Sequence, residues 1–133
     1  MRAYADTRKE ARMMKQTVVF DFDGVIHSYK TGWAGATVIA DPPVPGIKEA
    51  IAEIREAGYE VVVVSTRTAS TEGYGAVRAW LIENGIEVDR LCAEKPPAVV
   101  YIDDRAICFD GKPQLLLQKI QTFVPWNRRA DND

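Results

Sequence analysis

Two pairs of aspartates stand at the ends of apolar runs: Asp21 and Asp23 in QTVVFDFDGV, and Asp103 and Asp104 in AVVYIDD. In an extended chain, residues two apart share a side, so the Asp21 and Asp23 carboxyls leave one side of the run while Phe20 and Phe22 leave the other. Two carboxylates ~4 Å apart at an effective dielectric near 20 repel by roughly 4 kcal/mol, so a fold that keeps both needs a cation or a shared proton. Magnesium, a hard ion that takes oxygen ligands, resolves that conflict. Ser65, Thr66 and Arg67 close another apolar run, YEVVVVSTR, and offer a hydroxyl, backbone donors and a guanidinium to an oxyanion. Lys95 stands just before the run that ends in Asp103, where an ammonium can neutralise a carboxylate and a phosphate together. Each feature alone is weak: a DxD occurs by chance in surface loops, a serine after a strand is commonly a helix cap, and a lone lysine is commonly solvated. Their weight lies in occurring together and in order.

The elements that must position these residues are legible from periodicity. A length of 133 residues leaves room for one domain. Residues 1–15, with Arg2, Arg8, Lys9, Arg12 and Lys15, read as a basic amino-terminal extension, residues 16–126 as the core domain, and residues 127–133 as a loose tail. QTVVFDF is β-branched and aromatic, as in a buried central strand. HSYKTGWAGATVIADPPVP is too rich in Gly, Pro and small residues for a helix and reads as a long flap. In GIKEAIAEIREAG, Ile47, Ala50, Ile51, Ile54 and Ala57 fall at helical spacing. A strand over YEVVVVST follows, then a helix capped by Ser70 or Thr71 and running to about Asn84, with Val77, Trp80 and Leu81 inward. Short strands are expected near 88–92, at AVVYI and at AICFD, and a last helix over PQLLLQKIQTF. This alternation predicts an α/β fold, a single Rossmann-like three-layer domain whose central, mostly parallel sheet carries helices on both sides. Ligands of such sheets bind at the carboxyl ends of the strands, where strand order reverses. All the residues singled out above fall at that edge.

With these motifs in order, the chain resembles the haloacid dehalogenase-like superfamily. The resemblance rests on DFDGV, the strand VVVVS, Lys95 and YIDD, and spans about residues 18–104. It implies a phosphatase in which Asp21 attacks phosphorus to form an aspartyl-phosphate and Asp23 serves as acid, then base. Ser65 and Thr66 would bind the phosphoryl group, with Lys95 holding it against Asp21. Magnesium would take Asp21, the backbone carbonyl of Asp23 and Asp104, with Asp103 as an outer acceptor. An acid at position 23 suits phosphate esters, because halide leaves without a proton. The gaps at 25–44 and 66–94 are too short for the cap domains of larger relatives, so a capless site is implied. Such a site is open, and either takes a bulky substrate or borrows a lid from a second subunit of a homo-oligomer. The favoured substrate is a small phosphate ester, a sugar phosphate or nucleotide. A nucleic-acid end or a phosphoprotein is the less favoured alternative, and a receiver-like phosphate-binding module a further one.

The remaining features narrow the setting. A formal net charge of -2 gives no broad positive field for nucleic acid. No apolar run is long enough to span a bilayer and the first residues do not resemble a signal peptide, so no membrane is involved and the cytoplasm is expected. Cys92 and Cys108 form no CxxC and are expected reduced and buried. In the flap, His27, Tyr29 and Trp33 either contact a leaving group or pack locally. Arg67 and Arg105 either reach the substrate or, as is usual for a surface arginine beside a carboxylate, form solvated ion pairs, and they stand outside the catalytic set. Trp80 is a core residue, and Trp126 a pin for the carboxyl terminus.

Overall fold

The structure, a computed structural model, describes residues 15–129. Its sheet begins with β1 (Thr17–Asp21), whose β-branched and aromatic residues suit a strand flanked on both edges. β2 (Glu60–Val64), β3 (Arg90–Cys92) and β4 (Val100–Ile102) complete a four-stranded sheet in the order β3-β2-β1-β4, and every pairing is parallel. The register sets Asp21 opposite Val64 and Phe20 opposite Ile102. The chain moves outward from β1 through β2 to β3, then crosses back beyond β1 to β4. Strand order therefore reverses at the carboxyl end of β1.

Two helices make the first two crossovers, α1 (Ile47–Glu56) and α2 (Thr71–Glu83). Ile51 of α1 and Val77, Trp80 and Leu81 of α2 join Val18, Phe20, Val61 and Val63 in one core cluster. Val19 and Val62 point to the opposite face and are equally buried, as in a sheet covered on both sides. Burial of each such side chain stabilises the fold by about 1.5–3 kcal/mol. The α1 stripe is narrower than its spacing suggests, since Ala50 and Ala57 are exposed. Ser70 is the cap of α2, its hydroxyl accepting the Gly73 amide at 3.0 Å. No inserted domain separates these elements: residues 22–46 form a loop, and residues 65–89 hold one short 3-10 turn and α2.

The amino-terminal edge of the sheet is held by ion pairs. Glu60 accepts from Thr17 Oγ1 at 2.8 Å and from Arg90 at 3.0 and 3.1 Å, tying β1, β2 and β3 together. Asp89 accepts from Arg55 Nη2 at 3.0 Å and from the Val61 amide at 2.8 Å, which fastens α1 to β2. Burial alone would raise the Asp89 carboxyl, but the Arg55 hydrogen bonds, the Val61 amide and the Arg55 charge outweigh it and hold the group below its ordinary value. A carboxyl depressed in the folded state stabilises above its unfolded value of about 3.9, and that stability is lost as pH falls through the folded value. Asp89→Asn is thus expected to lower stability by about 2 kcal/mol at pH 7. The difference between variant and wild type in urea melts should shrink below about pH 4; a constant difference across that range would refute the linkage.

Contacts divide the chain after Ile102, and residues from Asp103 onward form a second compact unit. Its elements are a 3-10 turn (Pro113–Leu115), α3 (Leu116–Gln121) and a 3-10 turn (Trp126–Arg128). The strand expected at AICFD does not form; residues 106–110 join no described strand and Phe109 is 59% exposed. Asp110 instead accepts the Lys112 amide and the Lys119 ammonium, a turn that competes with extension. The cysteines are free, but neither is buried as expected: Cys92 ends the edge strand β3 and is half-buried, and Cys108 lies exposed in the segment that forms no strand. Among the described residues no helix is long and apolar enough to cross a membrane. The basic extension, up to residue 14, and the tail beyond residue 129 lie outside the described residues.

Candidate active site

After Asp21 the chain turns back sharply. The Phe22 carbonyl accepts the amides of Val25, Ile26 and His27 at 3.3, 2.9 and 3.0 Å, and Gly24 returns its amide to the His27 carbonyl at 2.8 Å. Gly24 has φ 84, which a side chain would strain. Phe22, Val25 and Ile26 are buried, so the core anchors the turn that carries Asp23.

Three predicted groups close strands of the sheet or follow them directly in the chain. Asp21, half-buried, closes β1. Ser65 follows Val64, the partner of Asp21, and Asp103 and Asp104 follow Ile102, the partner of Phe20. Serine and acid pair thus leave the sheet on either side of Asp21. Ser65 is also the cap its position suggests, its Oγ accepting the Arg67 amide at 3.1 Å. The hydroxyl proton is not used in that bond and is available to an oxyanion. Thr68 Oγ1 accepts the Ser65 amide at 3.1 Å and lies 2.7 Å from the Cys92 carbonyl, which fixes the end of β2 against β3. Thr66 is exposed in the same turn. Lys95 sits in the β3–β4 connection with its ammonium 5.1 Å from the Tyr101 ring centroid. Asp103 Oδ1 accepts the Arg105 amide at 2.9 Å.

Asp23 has partners that the sequence did not assign to it. Arg67 Nε donates to both carboxylate oxygens at 3.1 and 2.9 Å. His27 Nε2 accepts the Asp41 amide at 3.1 Å, so the ring proton is on Nδ1, which donates to Asp23 Oδ1 at 2.8 Å. The charge of Asp23 is thereby met by the protein itself. His27 is 1% exposed, stacked on Phe22 and edge-on to Trp80 and Tyr29.

Arg67 is 0% exposed, the largest fully buried side chain among the described residues and the reverse of a solvated ion pair. Its Nη1 donates to the carbonyls of Gly35, Ala36 and Val38 at 2.8, 3.0 and 3.0 Å, filling the inside of the flap. The flap's base is closed by Thr31, whose amide and hydroxyl donate to Asp41 at 2.8 and 2.6 Å. Those bonds, the hydroxyl first, hold the Asp41 carboxyl below its ordinary value. One guanidinium thus joins Asp23 to the loop above it. Gly73 leaves room for α2 to start directly against the Arg67 backbone, whose carbonyl oxygen a Cβ there would meet. A groove of about 790 Å³ beside Arg78, Ile82 and residues 85–92 holds none of the predicted site residues.

No family model and no curated protein matches the sequence. Among solved structures, a conserved protein from Bacteroides thetaiotaomicron is similar at a TM-score of 0.55 and 19% identity, over 81% of this chain and 91% of that one. A chain of a Pnkp1/Rnl/Hen1 complex is similar at 0.50 and 19%, over 80% of this chain and 35% of that one. The fold is shared with both. A D,D-heptose 1,7-bisphosphate phosphatase from B. bronchiseptica, solved with magnesium and phosphate, aligns at 0.44 and 22% identity, over 81% of this chain and 63% of that one. The parallel sheet, the position of Asp21 at its switch point and the lack of an inserted cap are those implied by the resemblance to the haloacid dehalogenase-like superfamily.

Proposed function

We propose that the protein is a magnesium-dependent phosphatase of haloacid dehalogenase type, acting on a small phosphate monoester. The observation that carries this reading is Asp21 at the point where strand order reverses, with Ser65 leaving the neighbouring strand on one side and the acid pair following β4 on the other. Asp21 attacks phosphorus, the bond to the ester oxygen breaks, and that oxygen takes the proton with which Asp23 enters this half-reaction. Water then attacks the aspartyl-phosphate, gives its proton to Asp23, and inorganic phosphate leaves with Asp21 restored. Arg67 and His27 hold the Asp23 carboxylate in place for the second half of the cycle. Ser65 and the Thr66 amide receive the phosphoryl oxygens, and Lys95 neutralises them.

The metal reading is supported by the donor set. Asp21, Asp103 and Asp104 offer carboxylate oxygens only, which suits a hard cation of this size. Asp103 gives one oxygen to the Arg105 amide, which favours Asp104 as the direct ligand and Asp103 as its outer support. When bound, magnesium supplies charge neutralisation to the phosphoryl oxygens. Phosphate release from an aryl phosphate, from sugar phosphates and from nucleotides tests the proposal. Turnover is expected with magnesium, and a drop of about 10²-fold or more with chelator, restored by excess metal. Turnover indifferent to chelator would remove magnesium from the reading, and none on any substrate by protein that is folded and metal-loaded would remove the phosphatase.

A further inference from the structure

We propose that the outer face of the Trp33 indole is a stacking subsite for a planar base, so that among small phosphate esters the substrate is a nucleotide. This rests on the phosphatase reading above. Trp33 is 54% exposed, whereas Trp80 is 7% exposed in the core. More than half of the Trp33 surface is therefore open to solvent. Single exposed aromatics are ordinary on protein surfaces. This one differs in what lies behind it: the Arg67 guanidinium carbon is 4.7 Å from the ring centroid, inside the range of a cation–π contact.

That guanidinium does not move freely. Nε is bonded to Asp23 and Nη1 to the flap carbonyls of Gly35, Ala36 and Val38, while Nη2 is buried with no hydrogen-bond acceptor. The loop that carries Trp33 is closed at its base by Thr31 and Asp41. Both the ring and its inner neighbour are thus placed before any ligand arrives, which removes most of the ordering cost of binding. A base stacked on the open face completes a cation–ring–base layer, and stacking of this kind accepts any base because each has a π face.

The location selects the part of the substrate that reaches this ring. Asp23 is the group that hands a proton to the leaving oxygen, and Arg67 touches both Asp23 and Trp33. In this proposal the leaving group passes from Asp23 around the edge of the indole to its open face. A nucleoside meets that ring with a flat aromatic surface, which a sugar phosphate lacks.

Trp33→Ala and Trp33→Phe test the subsite through the ratio of kcat/KM for a nucleoside monophosphate to that for a hexose phosphate. The ratio is expected to fall about 10-fold in Trp33→Ala, chiefly through KM, and to recover most of the way in Trp33→Phe. An unchanged ratio, or an equal loss on both substrates, overturns the proposal. A second measurement needs no turnover: in a Trp126→Phe background, adenosine should quench the fluorescence of wild-type Trp33, and the quenching should vanish with Trp33→Ala while buried Trp80 still emits. Quenching without turnover on any phosphate ester would sink the phosphatase reading and leave the stacking site standing. Turnover of nucleotides without quenching would do the opposite.

Discussion

Asp21→Asn is expected to abolish phosphate release, lowering kcat on the order of 10⁴-fold or more, as removal of a nucleophile does when the remaining groups act only through it. Asparagine keeps the shape of the side chain at the end of β1 but replaces an anionic oxygen with an amide that cannot form an acyl phosphate. Asparagine matches aspartate in size and shape, so the variant is expected to keep the fold of the wild type. Loss of activity would therefore not reflect loss of structure, which circular dichroism and a urea melt can establish. Rapid quenching of a labelled substrate offers a direct readout: a protein-bound, hydroxylamine-sensitive phosphate in the wild type and none in Asp21→Asn. Turnover by the variant within tenfold of wild type would mean that another group attacks phosphorus.

Arg67→Ala should have the largest effect on stability, a loss of about 3–5 kcal/mol, since it removes one member of a buried ion pair and leaves the other uncompensated. Asp23, at 14% side-chain exposure, would lose its guanidinium partner, and the carbonyls of Gly35, Ala36 and Val38 would lose their donor. Arg67→Lys should not restore the wild type, because one ammonium cannot span both the Asp23 carboxylate and the inside of the flap. Adding Asp23→Asn to Arg67→Ala should recover part of the loss, and a double-mutant cycle from urea melts gives the coupling. The idea fails if Arg67→Ala costs less than about 1 kcal/mol, since surface pairs lie in that range. Faster amide exchange in residues 31–41 of the Arg67 variants would place the loss in the flap.

How much of this was legible depends on the distance over which each feature is decided. β1 and β2 follow from short β-branched runs, and α1 and α2 from helical spacing of Ile47, Ile51 and Ile54 and of Val77, Trp80 and Leu81. Ser70 was one of two candidate caps, and only the position of Gly73 separates it from Thr71. The expected strand over AICFD shows the limit of the same method, because a strand needs an edge to pair with and periodicity does not say whether one is present. Cys92 and Cys108 were placed inside from residue type alone, and exposure followed from where β3 sits in the sheet and from the failure of residues 106–110 to extend.

The order of Asp21, Ser65, Lys95 and the Asp103–Asp104 pair along the chain, and the strands that end in Asp21 and just before Ser65 and Asp103, were set by the sequence itself, since residue type and local periodicity decide them. The tertiary structure alone decided that Arg67 is buried. Its partner Asp23 is 44 residues away in sequence, and the flap carbonyls that complete its shell are as much as 32 away. No local pattern distinguishes an arginine that will find such a shell from one that will stay in water, because the free energy of burying its charge comes entirely from groups brought together by folding.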